Sequence, residues 1–159
     1  MKKQILLPHF FFLFLVFSQA QDKAFENYTF DRDIKSVQTI INGIITSVPV
    51  LRLNSNDLLA VQFDDIGNRE VDFYYKVIHC DRNWSPSNIN EIEYIDGFNS
   101  EQVREWQNSL DTKYDFIHYW MTLPNRDTRF KVSGNYILYV YKDEDAENPV
   151  FTRRFIVTE

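Results

Sequence analysis

After residue 33, large apolar residues alternate with polar ones in short runs, which is the period of a β-strand with one buried face. The alternation recurs in seven segments that we predict as strands: residues 37–41, 48–53, 59–63, 71–80, 116–123, 136–141 and 150–157. Turn-forming pairs such as Asn42-Gly43 separate most of these segments. Strands do not alternate with long helical segments, so the pattern favours antiparallel sheets.

Seven short strands within about 125 residues predict an all-β protein, and specifically an immunoglobulin-like β-sandwich. A Gly-Asn-Tyr sequence opens the sixth strand. Its Tyr136 is either a tyrosine-corner residue, whose hydroxyl bonds back to the backbone, or an ordinary core tyrosine. The pattern predicts one short helix over 100–108, with Ser100 as its N-cap, and a polar hairpin loop over 143–149.

The first twenty residues have the three-part pattern of a secretory signal peptide. Lys2 and Lys3 precede an apolar run over 5–17, and small residues favour cleavage between Ala20 and Gln21. The run is about thirteen residues long, whereas a membrane-spanning helix needs roughly 20; an uncleaved membrane anchor is the alternative. The predicted organisation is a signal peptide (1–20), an N-terminal arm (21–33) and a β-sandwich domain (34–159).

Composition narrows the classes of function. The chain has 17 Lys and Arg against 23 Asp and Glu, a net charge of −6, which argues against the basic patch of a nucleic-acid-binding protein. Its single cysteine excludes an internal disulfide and a multi-cysteine zinc site. No motif for a nucleophile with its base, a phosphate loop or a zinc protease occurs. We therefore predict that the protein is not an enzyme and needs no cofactor.

Two polar clusters allow other interpretations. The triplet His79-Cys80-Asp81, together with His118, suggests a metal site or a cysteine nucleophile. Adjacent residues of a strand point to opposite faces, however, which favours a buried thiol and a hydrogen-bonded histidine. Acidic residues at 64–65 and 143–147 offer the oxygen ligands of calcium, but without the spacing of an EF-hand. A solvated hairpin tip is the alternative for the second acidic group.

Residues 81–113 form a connection longer than a minimal sandwich needs, and loops of this length are usually functional or disordered. Its four large aromatic residues are unusual for a disordered segment, which favours a functional loop. We predict that six of its side chains bind a partner: Arg82, Trp84, Tyr94, Phe98, Arg104 and Trp106. Aromatic anchors within a polar rim are typical of protein interfaces. There are two alternatives: the aromatic rings seal the open end of the core, or they stack on sugars in an exported carbohydrate-binding module.

The stretch over 74–87, Tyr-Tyr-Lys-Val-Ile-His-Cys-Asp-Arg-Asn-Trp-Ser-Pro-Ser, resembles the hallmark block of the type IX secretion system plug protein family. Further blocks of the family pattern follow in order at 93–98, 118–125, 133–138 and 152–155. The resemblance covers roughly residues 34–159. Family members are longer, with a further β-rich region after this part, so the chain corresponds to their N-terminal domain.

This resemblance implies a non-enzymatic periplasmic accessory protein of Bacteroidetes, associated with the inner side of the outer membrane. Such a protein caps the periplasmic mouth of the large translocon barrel through which cargo leaves. The implied partner is that outer-membrane barrel, with no nucleic acid, no small-molecule substrate and no membrane contact except through the partner.

Overall fold

The computed structural model describes residues 23–46, 48–67, 69 and 71–159. The predicted signal peptide, 1–20, and the cleavage site between Ala20 and Gln21 lie outside the described residues. Within the described part of the chain, no helix has the length and hydrophobicity needed to cross a membrane.

The first sheet has six strands: Tyr28–Thr29 (β1), Val50–Arg52 (β4), Phe73–Cys80 (β6), Glu101–Gln102 (β8), Gly134–Lys142 (β12) and Asp145–Thr158 (β13). Five of them follow the order β1-β13-β12-β6-β8, and all of these pairs are antiparallel. β4 lies in parallel beside the last residues of β13.

The second sheet has five strands: Ile34–Ile41 (β2), Ile44–Ile45 (β3), Leu59–Asp65 (β5), Glu105–Asn108 (β9) and Ile117–Leu123 (β10). Their order is β3-β2-β5-β10-β9, and every pair is antiparallel. A small third sheet pairs Ile95–Gly97 (β7) with Thr128–Phe130 (β11). The described helices are a 3₁₀ turn, Lys23–Phe25, and a single α-helical turn, Glu91–Tyr94 (α1).

The two large sheets pack face to face because the period-two alternation gives each strand one apolar row. On β5 every second residue is buried, and β6 shows the same alternation from Phe73 to Val77, with the residues between them partly buried. The ring of Phe63, on β5, packs edge-on against Phe73 and Phe151 of the first sheet, with centroids 5.1 and 5.0 Å away, and stacks on Tyr119 at 5.2 Å. Burial of one such ring stabilises the fold by about 1.5–3 kcal/mol. The predicted all-β sandwich is confirmed.

Tyr136 is fully buried and makes the bond that a tyrosine corner requires. Its hydroxyl donates to the backbone carbonyl of Val132, 2.8 Å away and four residues upstream. The ring stacks on Phe155 at 5.3 Å and packs against Phe130 at 5.1 Å. Burial raises the pKa of the Tyr136 phenol, so the group stays a hydrogen-bond donor. The bond fixes the segment that leads into β12.

The helix predicted over 100–108 is wrong. Glu101–Gln102 pairs with β6 of the first sheet and Glu105–Asn108 pairs with β10 of the second, while Val103 between them is buried. The segment therefore crosses from one sheet to the other and supplies an edge strand to each. Backbone pairing at two open sheet edges outweighs a weak local preference for helix. Ser100 does not cap a helix, and its hydroxyl bonds the Tyr141 hydroxyl at 2.6 Å.

The loop predicted over 143–149 is shorter than expected. Only Asp143 and Glu144 form the turn, with φ values of +54° and +59°, and β13 begins at Asp145. Two central residues with positive φ make the two-residue hairpin turn whose twist matches the flanking strands.

The segment predicted as an N-terminal arm joins the first sheet. Tyr28 lies opposite Thr152 of β13, and the Thr152 hydroxyl donates to the Glu26 carbonyl at 2.7 Å. The guanidinium of Arg153 donates to the Tyr28 carbonyl at 3.0 Å. These bonds extend the sheet by one strand.

Asp57 joins the β2–β3 turn to the end of β4. Its side chain is buried and accepts hydrogen bonds from the Arg52 guanidinium at 3.0 Å and from the Asn42 side-chain amide at 2.9 Å. The bonds from Arg52 and then Asn42 hold the pKa of the Asp57 carboxyl well below its ordinary value. The ionised carboxylate therefore stabilises this corner of the sandwich.

The substitution Tyr136→Phe removes the bond to the Val132 carbonyl without changing ring packing. We expect the free energy of unfolding to fall by about 1 kcal/mol, the usual net contribution of one hydrogen bond. Urea denaturation followed by circular dichroism measures the change. Tyr114→Phe, at an exposed tyrosine, is the control and should leave the midpoint unchanged. Equal midpoints for wild type and Tyr136→Phe would contradict the structural role given to this hydroxyl.

The substitution Asp57→Asn should make the free energy of unfolding less dependent on pH in the acidic range. Since the folded-state pKa of Asp57 lies below its ordinary value of 3.8, the carboxylate contributes stability above that pH and loses it as the pH falls. We expect the variant to be less stable than wild type at about pH 6 and to approach wild type at low pH. Asp96→Asn, which removes an exposed ion pair with Arg129, is the control. A constant difference between Asp57→Asn and wild type at all pH values would exclude this linkage.

Candidate partner-binding site

The turn that follows β6 is built around one carboxylate. Asp81 accepts hydrogen bonds from the backbone N–H groups of Asn83 and Ser85 at 2.7 and 3.0 Å. Its own carbonyl accepts the side-chain amide of Asn135 from β12 at 2.9 Å. The block of sequence over 79–87 thus forms a closed turn tied to the first sheet.

Trp84 lies at the tip of this turn with φ at +66°, in the left-handed region that bulky residues rarely adopt. Its half-buried ring lies under the guanidinium of Arg154, with 4.5 Å to the ring centroid. Arg154 also donates to the Phe25 carbonyl at 2.8 Å. The indole therefore packs on the outer face of the first sheet and holds the turn there.

His79 and Cys80 have structural partners on opposite faces of β6. The His79 ring shares a hydrogen bond with the Ser87 hydroxyl at 2.7 Å and packs edge-on against Tyr136. Cys80 is buried, and burial followed by the negative charge of Asp81 raises the pKa of its thiol to about 11. His118 lies on the second sheet, where it bonds Asp64 at 2.6 Å. No group of three metal-ligating side chains occurs in the ranges that the structure describes.

Tyr94, which was predicted to contact a partner, is buried in the structure and has little surface to offer one. It is only 7% exposed, belongs to the main core, and donates its hydroxyl to the Val77 carbonyl at 3.3 Å. An aromatic residue in this position seals the core instead of anchoring an interface, which is the alternative left open for these rings.

The four remaining candidates are exposed but do not form one surface. Arg82 belongs to the turn after β6, whereas β8, just before Arg104, pairs with the beginning of β6. At about 3.3 Å per residue, the two ends of β6 are roughly 20 Å apart. Phe98 lies nearer to Arg104, because its N–H donates to the carbonyl of Asp127, a residue of the cleft beside Arg104. Phe98, Arg104 and Trp106 therefore form the candidate site.

Trp106 covers a cleft between the two sheets. It lies directly opposite Tyr119 on β10, so its side chain points to the same inner side of the second sheet. Half of its surface is exposed. Beneath it is a cleft of about 310 Å³, whose apolar lining includes Val103 and Ile117. We call this the first cleft.

Two further clefts adjoin the first along the same segment. The second cleft, of about 440 Å³, shares Asn108 and Ile117 with the first. The third cleft, of about 390 Å³, shares Gln102, Val103 and Arg104 with it. Residues of the crossing segment 101–108 thus contribute to the walls of all three clefts. The rim residues Asp72, Gln102 and Asn108 were not predicted, because only the pairing of β8 and β9 brings them to the candidate site.

The charged side chains at the rim are partly paired. Arg104 forms an ion pair with Glu101 at 3.2 Å, and Gln102 donates its side-chain amide to Asp72 at 2.9 Å. These contacts hold the rim in place around the aromatic wall of Trp106. The arrangement is a cleft with an apolar floor and a polar rim beside an open sheet edge, which is suited to binding a macromolecule.

Comparison with known proteins identifies a family and a solved structure of similar fold. Residues 34–159 match the first domain of the type 9 secretion system plug protein. The crystal structure of a hypothetical protein from Parabacteroides merdae ATCC 43184 has a TM-score of 0.78 and 32% sequence identity, covering 82% of this chain and 33% of that one. The chain thus spans about a third of the length of that protein.

A second structure, that of Pseudomonas fluorescens alkylpurine DNA glycosylase AlkC bound to DNA containing an abasic site analog, has a TM-score of 0.40 and 10% identity. It covers 80% of this chain and 31% of the glycosylase chain, and so low a likeness carries no functional argument. No curated protein matches the chain.

The two tryptophans should differ in their effect on stability. Trp84→Ala removes the contact with Arg154 and half-buried apolar area, so we expect a loss of about 2 kcal/mol in the free energy of unfolding. Trp106→Ala removes a half-exposed side chain at the edge of the second sheet, so the free energy of unfolding should fall by less than about 1 kcal/mol. Parallel urea titrations compare the two variants with wild type. A larger loss for Trp106→Ala than for Trp84→Ala would reverse these assignments.

Proposed function

Since the chain belongs to the type 9 secretion system plug protein family, we propose that it caps the periplasmic mouth of the outer-membrane translocon barrel of that system. In this proposal, the mature chain is a non-enzymatic accessory protein located in the periplasm at the inner side of the outer membrane. The match over residues 34–159, nearly the whole described sandwich, is the observation that carries the proposal.

The structure supports a steric mode of action. The described part of the chain is a sandwich with a continuous apolar core, and its reactive side chains have structural partners. Cys80 is buried, His79 bonds Ser87 and His118 bonds Asp64. A rigid domain that blocks an opening needs only shape and a surface that binds the rim of that opening.

We assign docking to Phe98, Arg104 and Trp106. Phe98 is 67% exposed, although exposed phenylalanine costs solvation, and Trp106, on β9, is 50% exposed. Tryptophan and arginine are the side chains that most often dominate binding at protein interfaces. Arg82 and Trp84 lie at the other end of the first sheet, and Trp84 acts there in stabilising the turn.

A plug must leave the barrel when cargo arrives, so its interface should be modest in area. Transient interfaces bury less than about 1,200 Å² in total, with a few anchors at the centre. The candidate site fits this class because it has one half-exposed tryptophan and a polar rim, whereas an obligate interface is broad and apolar.

Affinity capture from native outer membranes tests the proposal. The chain 21–159, with a C-terminal tag, should retain the large translocon barrel, and Trp106→Ala should reduce the recovered amount roughly tenfold, as expected for a central anchor. Tyr114→Ala is the matched control, because Tyr114 is 72% exposed in the loop between β9 and β10 but lines none of the three clefts.

The wild-type chain is also compared with a longer family member under the same conditions. If only the longer protein retains the barrel, the docking surface does not lie in this domain. Equal recovery by wild type and Trp106→Ala would leave the capping role in place but remove Trp106 from the docking surface.

A further inference from the structure

We propose that the open edge of the second sheet at β9 binds an extended segment of a partner protein as an added strand. The segment places an apolar side chain in the first cleft and a basic side chain beside it. This inference rests on the proposed docking function and specifies the kind of partner segment that the docking surface accepts.

β9 has the exposure of an unpaired edge strand. All four of its residues, Glu-Trp-Gln-Asn, are exposed, and the strand pairs with β10 on one side only. Among the described residues, no further strand lies beyond it in the sheet. Such an edge presents backbone N–H and C=O groups to solvent, and natural proteins usually protect it with lysine, proline or a covering loop. β9 contains neither lysine nor proline.

The clefts provide room for the side chains of an added strand. The first cleft has an apolar floor, because Val103 and Tyr119 are each only 4% exposed, and Trp106 forms its outer wall. The second cleft adjoins it and shares Ile117 and Asn108. Alternate residues of a strand point to the same face about 7 Å apart, so one added strand reaches both clefts with residues i and i+2.

The charge around the clefts selects a basic segment. Six carboxylates and three guanidinium groups line them: Asp65, Asp72, Glu101, Glu105, Asp115 and Asp127, with Arg69, Arg104 and Arg126. The excess of carboxylates makes this face negative, in keeping with the net charge of −6 of the whole chain. A partner segment with lysine or arginine is therefore attracted, and an acidic one is repelled.

A peptide strand suits this site better than a sugar. Sugar binding needs side-chain amides and carboxylates that are available to hydroxyl groups, whereas Gln102 already donates to Asp72 and Arg104 is paired with Glu101. β9 in addition offers the backbone N–H and C=O groups of its unpaired edge, which a peptide strand uses and a sugar does not. Backbone pairing gives affinity in strand addition, and the clefts add selectivity.

Fluorescence anisotropy with three labelled heptapeptides tests the inference. The probe peptide is Thr-Lys-Val-Phe-Val-Lys-Thr. The second peptide replaces both lysines by glutamate, and the third keeps the sequence but carries N-methyl groups on alternate backbone amides. We expect the probe peptide to bind the chain at least tenfold more tightly than either of the others, because each removes one element of recognition. Both changes are made in the ligand, so the fold of the protein is unaffected.

Variants of the protein complete the test. Trp106→Ala should weaken binding of the probe peptide at least tenfold, and Tyr114→Ala should leave it unchanged. Equal affinity for the N-methylated and unmodified peptides would overturn strand addition. Binding of a glycan panel with no binding of any peptide would overturn it in favour of a sugar site. If no peptide binds although the translocon barrel is still captured, this inference fails and the proposed function stands.

Discussion

Contact between the rings of Phe63 and Phe73 holds the two sheets against each other, and the remaining structure depends on that packing. Phe151 and Tyr119 complete the aromatic cluster, with centroid separations near 5 Å throughout. Tyr119 also forms the floor of the first cleft. The candidate site is therefore an extension of the core to the open side of the sandwich. Its floor belongs to the core, whereas Phe98, Arg104 and Trp106 around it are exposed to solvent.

The first sheet is unusual in being apolar on both faces, and this explains the turn after β6. A second apolar cluster, formed by Cys80, Ile137, Tyr139 and Tyr141, lies on the outer face. Antiparallel sheets normally expose a polar outer face to water. Here Phe25 and Trp84 pack against the cluster. The block of residues that most clearly carries the family resemblance thus covers the outer face of a sheet, and the docking surface that we propose lies near the opposite end of β6.

The sequence patterns predicted the core strands because a buried row with period two is a local property. Strands β5, β6 and β10 follow that pattern closely. The crossing segment was mistaken for a helix because Val103 and Trp106, three residues apart, also fit a helical face, and no local pattern reveals two open sheet edges. The hairpin loop predicted over 143–149 is too long because Asp-Glu is not a usual pair for positive φ, so the sequence does not indicate a two-residue turn at 143–144.

The candidate site was predictable only in part, because its shape depends on contacts between residues that are distant in sequence. Exposed Phe98, Arg104 and Trp106 were named from their residue types. Whether an aromatic ring is exposed depends on partners distant in sequence, and for Trp84 the partner is Arg154. Tyr94 likewise enters the core through contacts that its own segment does not encode.

Burial of the single cysteine has a consequence for redox chemistry. Thiolate is the species that attacks disulfides and oxidants, and a thiol with a pKa of about 11 forms very little of it at neutral pH. Because Cys80 is also enclosed by the second apolar cluster, an oxidising compartment gives it neither a mixed disulfide nor a sulfenic acid while the sandwich stays folded. Association of the folded domain with a partner therefore does not depend on a disulfide through Cys80, and the contacting surfaces are free to separate without a reductant.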